Sequence, residues 1–470
     1  MNRAGNLAGF RKALGGIAIE DNERLVQQKS RDCYWYSPIL KAKLDHVTAD
    51  LVVMPKSVDE VVETLAAAFA HDVPITPRGS GTGNYGQAMP LSGGAMLDLK
   101  GLDKVIEIQT DRVRAEAGVI MSQLDEQTIA AVRGELRFHP STYRMASLGG
   151  FIAGGSGGVG SVRWGGLRNL GNILGLKVVT CEAKPRVLDL EGADILKVAH
   201  AYGTNGIIVE AEMPLAPAQD WIDVIAGFDD IIEACRFGEA VARQDGLLLK
   251  EVAPVAAPIP YDYFTRYRDF IAPEQSVVLL MVAPNSVEAL SLFMELRGAK
   301  TLYRSDRVSE EQRKRLPPVY ELAWNHTTLR GLKIDPTITY LQTQYPTLGH
   351  LEKIVSILGD EMPMHVEMTR FDGQVVFSAL PIVRYRDEAR LEEIIALHED
   401  NGCLVFNPHR YTLEEGGMKQ TDRAQLAFKR EADPKGLLNP GKMIAWDDPD
   451  FDFESGRVWL FAGLEQRGAA

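Results

Sequence analysis

Two stretches of this sequence carry residue types that grip an anion rather than fill a core. The first is Pro77-Arg78-Gly79-Ser80-Gly81-Thr82-Gly83-Asn84-Tyr85-Gly86. Glycine adopts left-handed backbone at little cost, which lets successive N–H groups turn toward one phosphate. Ser80, Thr82 and Asn84 add side-chain donors, and Arg78 adds charge. Residues 81–86 also fit G-x-G-x-x-G, with Asp98 near the spacing of a ribose-binding acid. A dinucleotide site of that kind needs the motif to open a helix. Gln87 to Gly94 contains Pro90 and a Gly93-Gly94 pair, which disfavour one. Asp98 then reads as a strand-end or turn residue. The loop either cradles a diphosphate through its own donors or simply joins two strands. The second stretch, Ser147 to Ser161, has seven glycines in fifteen residues. No helix or strand carries that density without cost. Phe151, Ile152, Ala153 and Val159 are too apolar for a solvated linker. Such a chain is expected to lie against something large, flat and buried.

These loops need regular elements to hold them. Leu51–Met54 reads as a short strand ended by Pro55. Ser57 and Glu60 form a capping box for a helix whose apolar stripe is Val58, Val61, Val62, Leu65 and Phe69. Val73–Thr76 is a second strand, so a β-α-β unit ends at the first glycine loop. Short strands follow at Ala95–Leu99, Lys104–Ile108 and Arg112–Glu116, then a helix at Met121–Val132. Leu176–Cys181 and Val187–Leu190 read as paired strands, Ile195–Ala199 as a helix and Gly206–Met213 as a strand. Residues 1–45 read as an arm with one short helix near Asn22–Gln28. Beyond Pro217 glycine thins out. Helical patterns cover 229–243, 286–297, 310–323, 347–359 and 387–400, interleaved with strands such as Val277–Val282 and Gln374–Pro381. That alternation predicts an antiparallel sheet covered by helices. The turn-rich run Asp433–Lys442 follows.

With these segments in order, the chain resembles the FAD-binding oxidoreductases of the vanillyl-alcohol oxidase type, which have a PCMH-type FAD domain. Within that group it is most similar to the glycolate oxidase subunit and D-lactate dehydrogenase branch. Four segments carry the resemblance: Pro77–Gly86, Ser147–Gly166, Gly203-Thr204-Asn205-Gly206-Ile207-Ile208-Val209-Glu210-Ala211 and Asp433–Lys442. The implied fold is α+β. It has a PCMH-type FAD-binding domain of two subdomains at 46–217 and an α/β substrate (cap) domain with an antiparallel sheet at 218–430. An N-terminal arm at 1–45 precedes them, and a segment at 431–470 returns to the FAD domain. The resemblance gives the FAD diphosphate to Pro77, Arg78, Gly79, Ser80, Gly81, Thr82 and Gly83. It gives the ribityl chain and isoalloxazine to Ser147, Gly149, Gly150, Gly154, Gly157, Gly158 and Ser161. Gly206, Ile207 and Ile208 fall at the pyrimidine edge, and Asn439 and Lys442 at the returning segment. Relatives that attach FAD covalently use His or Cys at positions approximated here by Thr82 and Tyr143, so non-covalent FAD is expected.

Oxidation by a flavin needs the substrate carbon held at N5 and a proton removed. Histidine is the usual base, with an ordinary pKa of about 6.5. Of nine histidines, His409 in Val405-Phe406-Asn407-Pro408-His409-Arg410-Tyr411 is the first candidate, because relatives have Glu-His-Gly near there. Asn407 and Arg410 are its expected partners. His326 and His365 are the next candidates, and the bland alternative for all three is a satisfied core histidine. Metal-dependent relatives carry His-x-Gly-Asp-Gly-Asn-x-His. Here the sequence is His365-Val366-Glu367-Met368-Thr369-Arg370-Phe371-Asp372-Gly373, and Pro408 replaces a Glu. No metal is expected, and D-lactate-type substrates lose support. A carboxylate substrate would need a bidentate cation, and Arg370, Arg384, Arg386 and Arg410 lie in the right half. Tyr340, Tyr345, Tyr385 and Tyr411 would equally suit a phenolic alcohol.

Composition narrows the partners. A chain of 470 residues needs more than one core. Its formal charge of −13 would repel a nucleic-acid backbone, so none is expected to bind. Cys33, Cys181, Cys235 and Cys403 lack metal-ligand spacing and fit reduced thiols in a cytosolic protein. The N-terminus lacks the apolar core of a signal peptide, and no apolar run is long enough to span a bilayer. Cytoplasmic residence is expected, with peripheral membrane attachment left open. The leading reading is a FAD-dependent dehydrogenase of a small 2-hydroxy acid or related alcohol. It would pass electrons to a quinone, an electron-transfer protein or oxygen, as a homo-oligomer or a subunit of a complex. The alternatives are an aryl-alcohol or phenol oxidase of the same fold and a FAD-carrying subunit of a larger oxidoreductase.

Overall fold

A computed structural model describes residues 3–455 and 458–465. Its first sheet grows from the β-α-β unit. The helix Val58–His71 starts on Ser57, whose hydroxyl accepts from Glu60 N, and ends on Asp72 in the left-handed conformation (φ 51°). Glu60 reaches back to Lys56 N at 2.7 Å. That helix buries Val61, Leu65 and Ala68 against Leu51, Val53 and Ile75. Strand Ala95–Asp98 runs parallel between Leu51–Met54 and Ile75–Arg78. The antiparallel strand Ala18–Glu20 completes the sheet. Asp98 sits at a strand end, where its carboxylate accepts from Lys100 N and pairs with Lys29, and no helix follows Gly81–Gly86.

The second sheet is antiparallel, in the order Val105–Ile108, Arg112–Glu116, Ile207–Pro217, Gly175–Val179 and Val187–Glu191. Its central strand Ile207–Pro217 also carries Gly134–Leu136. Ile207 and Val209 join the core of the first sheet, while Ile208 and Ala211 face the second. One strand thus welds the two layers, and the register shift between Ile208 and Glu210 turns Ala211 to the face of Ile208.

Beyond Pro217 two antiparallel four-stranded sheets carry the helices. One is ordered Leu249–Val255, Ser276–Val282, Ile222–Phe228, Lys300–Arg304. The other is ordered Val366–Phe371, Gln374–Ala379, Gln342–Tyr345, Leu404–Phe406. Strand Ser276–Val282 is buried along its whole length, as its unbroken run of apolar residues requires.

Several local expectations differ from the structure. The helix Arg3–Ala13 lies in the arm, and Asn325–Ile334 is a second helix that periodicity did not reveal. The expected helix at 310–323 is two pieces, Glu310–Arg315 and a 3-10 turn Val319–Glu321, separated by Pro317-Pro318. The helix expected at Ile195–Ala199 is instead a 3-10 turn, Gly192–Lys197, which ends before Val198. Most tellingly, the second glycine stretch contains a helix, Leu148–Gly154. No described helix is long and apolar enough to cross a membrane.

Candidate active site

The two glycine loops face one cleft of about 1940 Å³, part of it open to solvent. Residues Pro77 to Gly83 form one wall. Strand Ile75–Arg78 ends there, and Gly81 takes φ 68° beside the Arg78 guanidinium. Arg78 donates from Nη1 to Gly79 O at 3.0 Å and from Nη2 to Arg31 O at 3.2 Å. Its Nε, with Ser80 Oγ and Ser147 Oγ, is buried without a protein partner. Orphaned buried donors are costly and rare. Three of them where the two loops meet mark where the oxygens of a ligand belong.

The second loop forms the adjoining wall through Ser147, Gly149, Gly150, Gly154, Gly157, Gly158 and Ser161. The helix Leu148–Gly154 forms there because Leu148, Phe151 and Ile152 are fully packed and its glycines stand where side chains do not fit. A methyl on Gly149 would come within 2.6 Å of Ala117 Cβ, and one on Gly79 within 2.0 Å of Ser147 Oγ. The loops therefore touch each other through missing side chains. Gly206, at φ 130°, and the strand residues Ile207 and Ile208 close the floor. These features suit a long, flat, phosphate-bearing group.

In the returning C-terminal segment Leu460 and Phe461 line the cleft, whereas Asn439 and Lys442 support it from behind. Asn439 donates to Gln87 O at 2.8 Å and to Tyr202 O at 2.7 Å. Buried Lys442 donates to Gly86 O at 2.6 Å. Both grip the backs of segments whose fronts face the cleft. Asp32, which carried no signal in the sequence, does line it. Its carboxylate accepts from Tyr34 N at 2.9 Å and Ala88 N at 3.1 Å. Burial pushes the Asp32 carboxyl up and the Lys442 ammonium down. Of the two positions tied to covalent attachment, Thr82 lines the cleft, whereas the Tyr143 hydroxyl is engaged by Asp125 at 2.7 Å. Cys33 lies behind the first loop, with its N–H on Gly83 O at 2.7 Å. Burial pushes its thiol up to about 12.

The expected catalytic group is not assembled in the cleft. His409 is 1% exposed, with Nδ1 2.6 Å from Ser37 Oγ and Nε2 2.9 Å from Tyr340 O. The carbonyl fixes the proton on Nε2, so Nδ1 accepts from Ser37. Burial holds the ring neutral, with its pKa near 4. This is a satisfied structural histidine. Asn407 accepts from His409 N at 2.9 Å, and Arg410 pairs outward with Glu388 and Glu392 at 3.4 and 2.7 Å. His326, on the helix Asn325–Ile334, is another residue outside the cleft lining. His365 meets Glu367 at 2.7 Å, but His409 lies elsewhere. Among the described residues no cluster of His, Cys, Asp or Glu could hold a metal ion.

Two other residues stand at the wall. His200 lines the cleft, with Nδ1 on Gly155 O at 3.0 Å and its pKa pulled by burial to about 3. Of the four arginines singled out, only Arg370 reaches the cleft. Its Nε donates to Val162 O at 2.9 Å, and Nη2 to Ala242 O at 3.0 Å and Asp245 at 3.3 Å. The rest of that wall is neutral and partly aromatic, including Trp324, Thr343, Phe371 and Phe461.

Residues 49–189 match a FAD binding domain. The glycolate oxidase subunit GlcD of Bacillus subtilis (strain 168) is 26% identical over 432 residues, 85% of this chain and 89% of that protein. D-lactate dehydrogenase of Archaeoglobus fulgidus is 34% identical over 172 residues, 35% of this chain and 36% of that one. An alkyldihydroxyacetonephosphate synthase shares the fold at TM-score 0.69 and 15% identity, over 92% of this chain and 84% of that chain. The 4-ethylphenol oxidase from Gulosibacter chungangensis shares it at TM-score 0.65 and 16% identity, over 94% and 96%. The loops, the cleft between them and these likenesses agree: the chain is a FAD-binding oxidoreductase with the PCMH-type fold.

Proposed function

We propose that the chain oxidises a small 2-hydroxy acid or a related alcohol and passes the electrons to a separate acceptor. Bound FAD supplies the hydride acceptor, at N5. Residues Pro77 to Gly83 hold the diphosphate, with Arg78 Nε and Ser80 Oγ as the donors waiting for it. Ser147, Gly149, Gly150, Gly154, Gly157, Gly158 and Ser161 flank the ribityl chain and ring, and the backbone at Gly206, Ile207 and Ile208 meets the pyrimidine edge. Attachment is non-covalent. Residues 46–217 form the FAD domain, 218–430 the cap, and Asn439 and Lys442 brace from the segment 431–470.

The observation that carries the substrate reading is Arg370. It is the one arginine of the cap half that lines the cleft, and Val162 O pins it to the end of the second glycine loop. Its Nη1 makes no hydrogen bond among the described residues and can take a carboxylate oxygen. His200, neutral and with its proton fixed on Nδ1 by Gly155 O, presents Nε2 to accept the substrate hydroxyl. The relatives named for glycolate and D-lactate chemistry support this reading. The aromatic wall favours a second reading, an aryl-alcohol or phenol oxidase. A third, a FAD-carrying subunit, has the word "subunit" in the name of the Bacillus subtilis relative behind it. The acceptor is a quinone, an electron-transfer protein or oxygen, and the setting is the cytoplasm or the membrane surface.

Anaerobic mixing of the holoprotein with short 2-hydroxy acids and with aryl alcohols, followed at the visible flavin bands, tests all three. Bleaching by a 2-hydroxy acid is expected. Arg370→Gln should raise the half-saturating concentration about 10–100-fold, the worth of one hydrogen bond to a charged group, with the limiting rate less affected. Bleaching by aryl alcohols alone would favour the second reading, and no bleaching the third.

A further inference from the structure

The strongest unassigned feature of the cleft is the way Trp324 is held. It precedes the helix Asn325–Ile334 with φ 52° and ψ −142°, a conformation that L residues avoid and that persists only when its surroundings enforce it. Two buried carboxyls do so. Trp324 N donates to Glu367 Oε1 at 2.5 Å, and the indole Nε1 donates to Glu251 Oε2 at 3.2 Å. Glu251 comes from strand Leu249–Val255 and Glu367 from strand Val366–Phe371, and they are 2% and 0% exposed. His365 Nε2 stands 2.7 Å from Glu367 Oε1 and is fully buried too.

Two carboxylates cannot both stay ionised in one dry pocket, so the pair shares a proton. Burial and their mutual repulsion push the Glu251 carboxyl well above its ordinary range, and burial pushes Glu367 to about 7. His365, neutral with its pKa near 3, adds no compensating charge. Such a cluster costs stability, and what it does is fix one side chain at both its backbone and its ring. That ring lines the cleft and meets the second glycine loop. A methyl on Gly157 would lie 3.6 Å from Trp324 Cη2.

We propose that Trp324 sets the size of substrate the cleft admits, and that Glu251 and Glu367 are positioning residues that hold its indole against the Gly157 loop. The proposal rests on the substrate reading above, which it deepens. A substrate side chain longer than the space beneath the indole collides with a ring that cannot swing away, because both its ends are tied. Amide side chains at 251 and 367 would still accept from the indole and backbone N–H groups, whereas leucines would not.

The test uses the holoprotein and a series from 2-hydroxypropanoate to 2-hydroxyoctanoate, with flavin reduction followed anaerobically. Wild type should slow as the chain lengthens. Trp324→Ala should move that fall to longer acids, with about ten-fold relative gain for each methylene newly admitted. Glu251→Gln and Glu367→Gln should keep the wild-type profile, and Glu251→Leu and Glu367→Leu should acquire that of Trp324→Ala. Parallel profiles for wild type and Trp324→Ala, or leucine variants with the wild-type profile, would overturn the proposal. If no hydroxy acid reduces the flavin, the substrate reading fails, and tryptophan emission decides the positioning. Addition of FAD to apoprotein should quench a component that Trp324→Phe lacks. That component should persist in the glutamine variants and change in the leucine ones. Equal quenching in wild type and Trp324→Phe would overturn the proposal.

Discussion

At the scale of single residues, a histidine's chemistry depends on what its two nitrogens face, and no sequence pattern reports that. His409 drew attention through its neighbours, yet Ser37 and Tyr340 take both nitrogens. His200 carried no motif and lines the cleft. The His409 ring is bound neutral, with its pKa held near 4, below the roughly 6.5 of an unfolded chain. The unfolded chain takes the proton first as pH falls. The stability this ring contributes is therefore complete above about pH 6.5 and declines toward pH 4. His409→Leu should cost about 1–3 kcal/mol at pH 7.5, the penalty of orphaned buried partners. In thermal unfolding that gap should narrow at pH 5, because only wild type loses the ring's contribution. Flavin reduction should keep its wild-type pH profile. A variant with intact stability but a rate lowered by orders of magnitude would return His409 to the chemistry.

At the scale of elements, the glycine-built walls of the cleft were far more legible than its side-chain wall. A backbone cradle must be built from glycine, and glycine density survives in the sequence as a signal. The opposite wall of the cleft is assembled from single side chains on separate strands, such as Arg370 and Thr343, which look ordinary in sequence. The reading of Ser147–Ser161 as irregular still failed over Leu148–Gly154, because packing of Leu148, Phe151 and Ile152 outweighs the propensity cost of its glycines. The capping box at Ser57 and the β-α-β unit were legible because local chemistry decides them. Glycines of the two loops are thus separable from glycines of the supporting sheet. A methyl on Gly158 would meet the carbonyl oxygen of His139 at 2.2 Å, whereas one on Gly175 would find nothing closer than 3.8 Å. Gly158→Ala should destabilise the protein by about 1–3 kcal/mol through overpacking, and it should weaken FAD retention. Gly175→Ala, in the strand Gly175–Val179, should be neutral or stabilise by about 0.4–1 kcal/mol. Melting temperatures with and without added FAD would check both. Equal behaviour of the two variants would mean that the loop is not packed as tightly as its glycines imply.

At the scale of the whole molecule, the last stretch of chain decides how firmly the cleft is closed from behind. It adds to the edge of the first sheet, with Ile75 N on Leu437 O and Asn439 N on Ile75 O, both at 2.8 Å. Its anchor is the buried pair Lys429–Asp433, 2.5 Å apart with both side chains at most 2% exposed. Asp433 also accepts from Leu437 N and Leu438 N at 2.9 and 2.8 Å, and Lys429 donates to Thr204 O at 2.7 Å. The pair therefore joins the returning segment to the turn that leads into Ile207 and Ile208 on the cleft floor. Turn chemistry marked Asp433–Lys442 only as a turn-rich run, and the role of the segment as a brace depends on contacts more than two hundred residues away in sequence, such as that with Thr204. Removing one partner of a buried pair strands the other charge and costs about 3–5 kcal/mol. Asp433→Ala should lose about that much in denaturant unfolding, and it should release FAD at lower denaturant than wild type does. The double variant Lys429→Met/Asp433→Leu, which removes both charges, should recover part of the stability. It should not recover FAD retention, because the two backbone N–H groups and Thr204 O stay unmet. Joint recovery of both would show that the pair acts only as an ion pair and that the floor of the cleft holds itself.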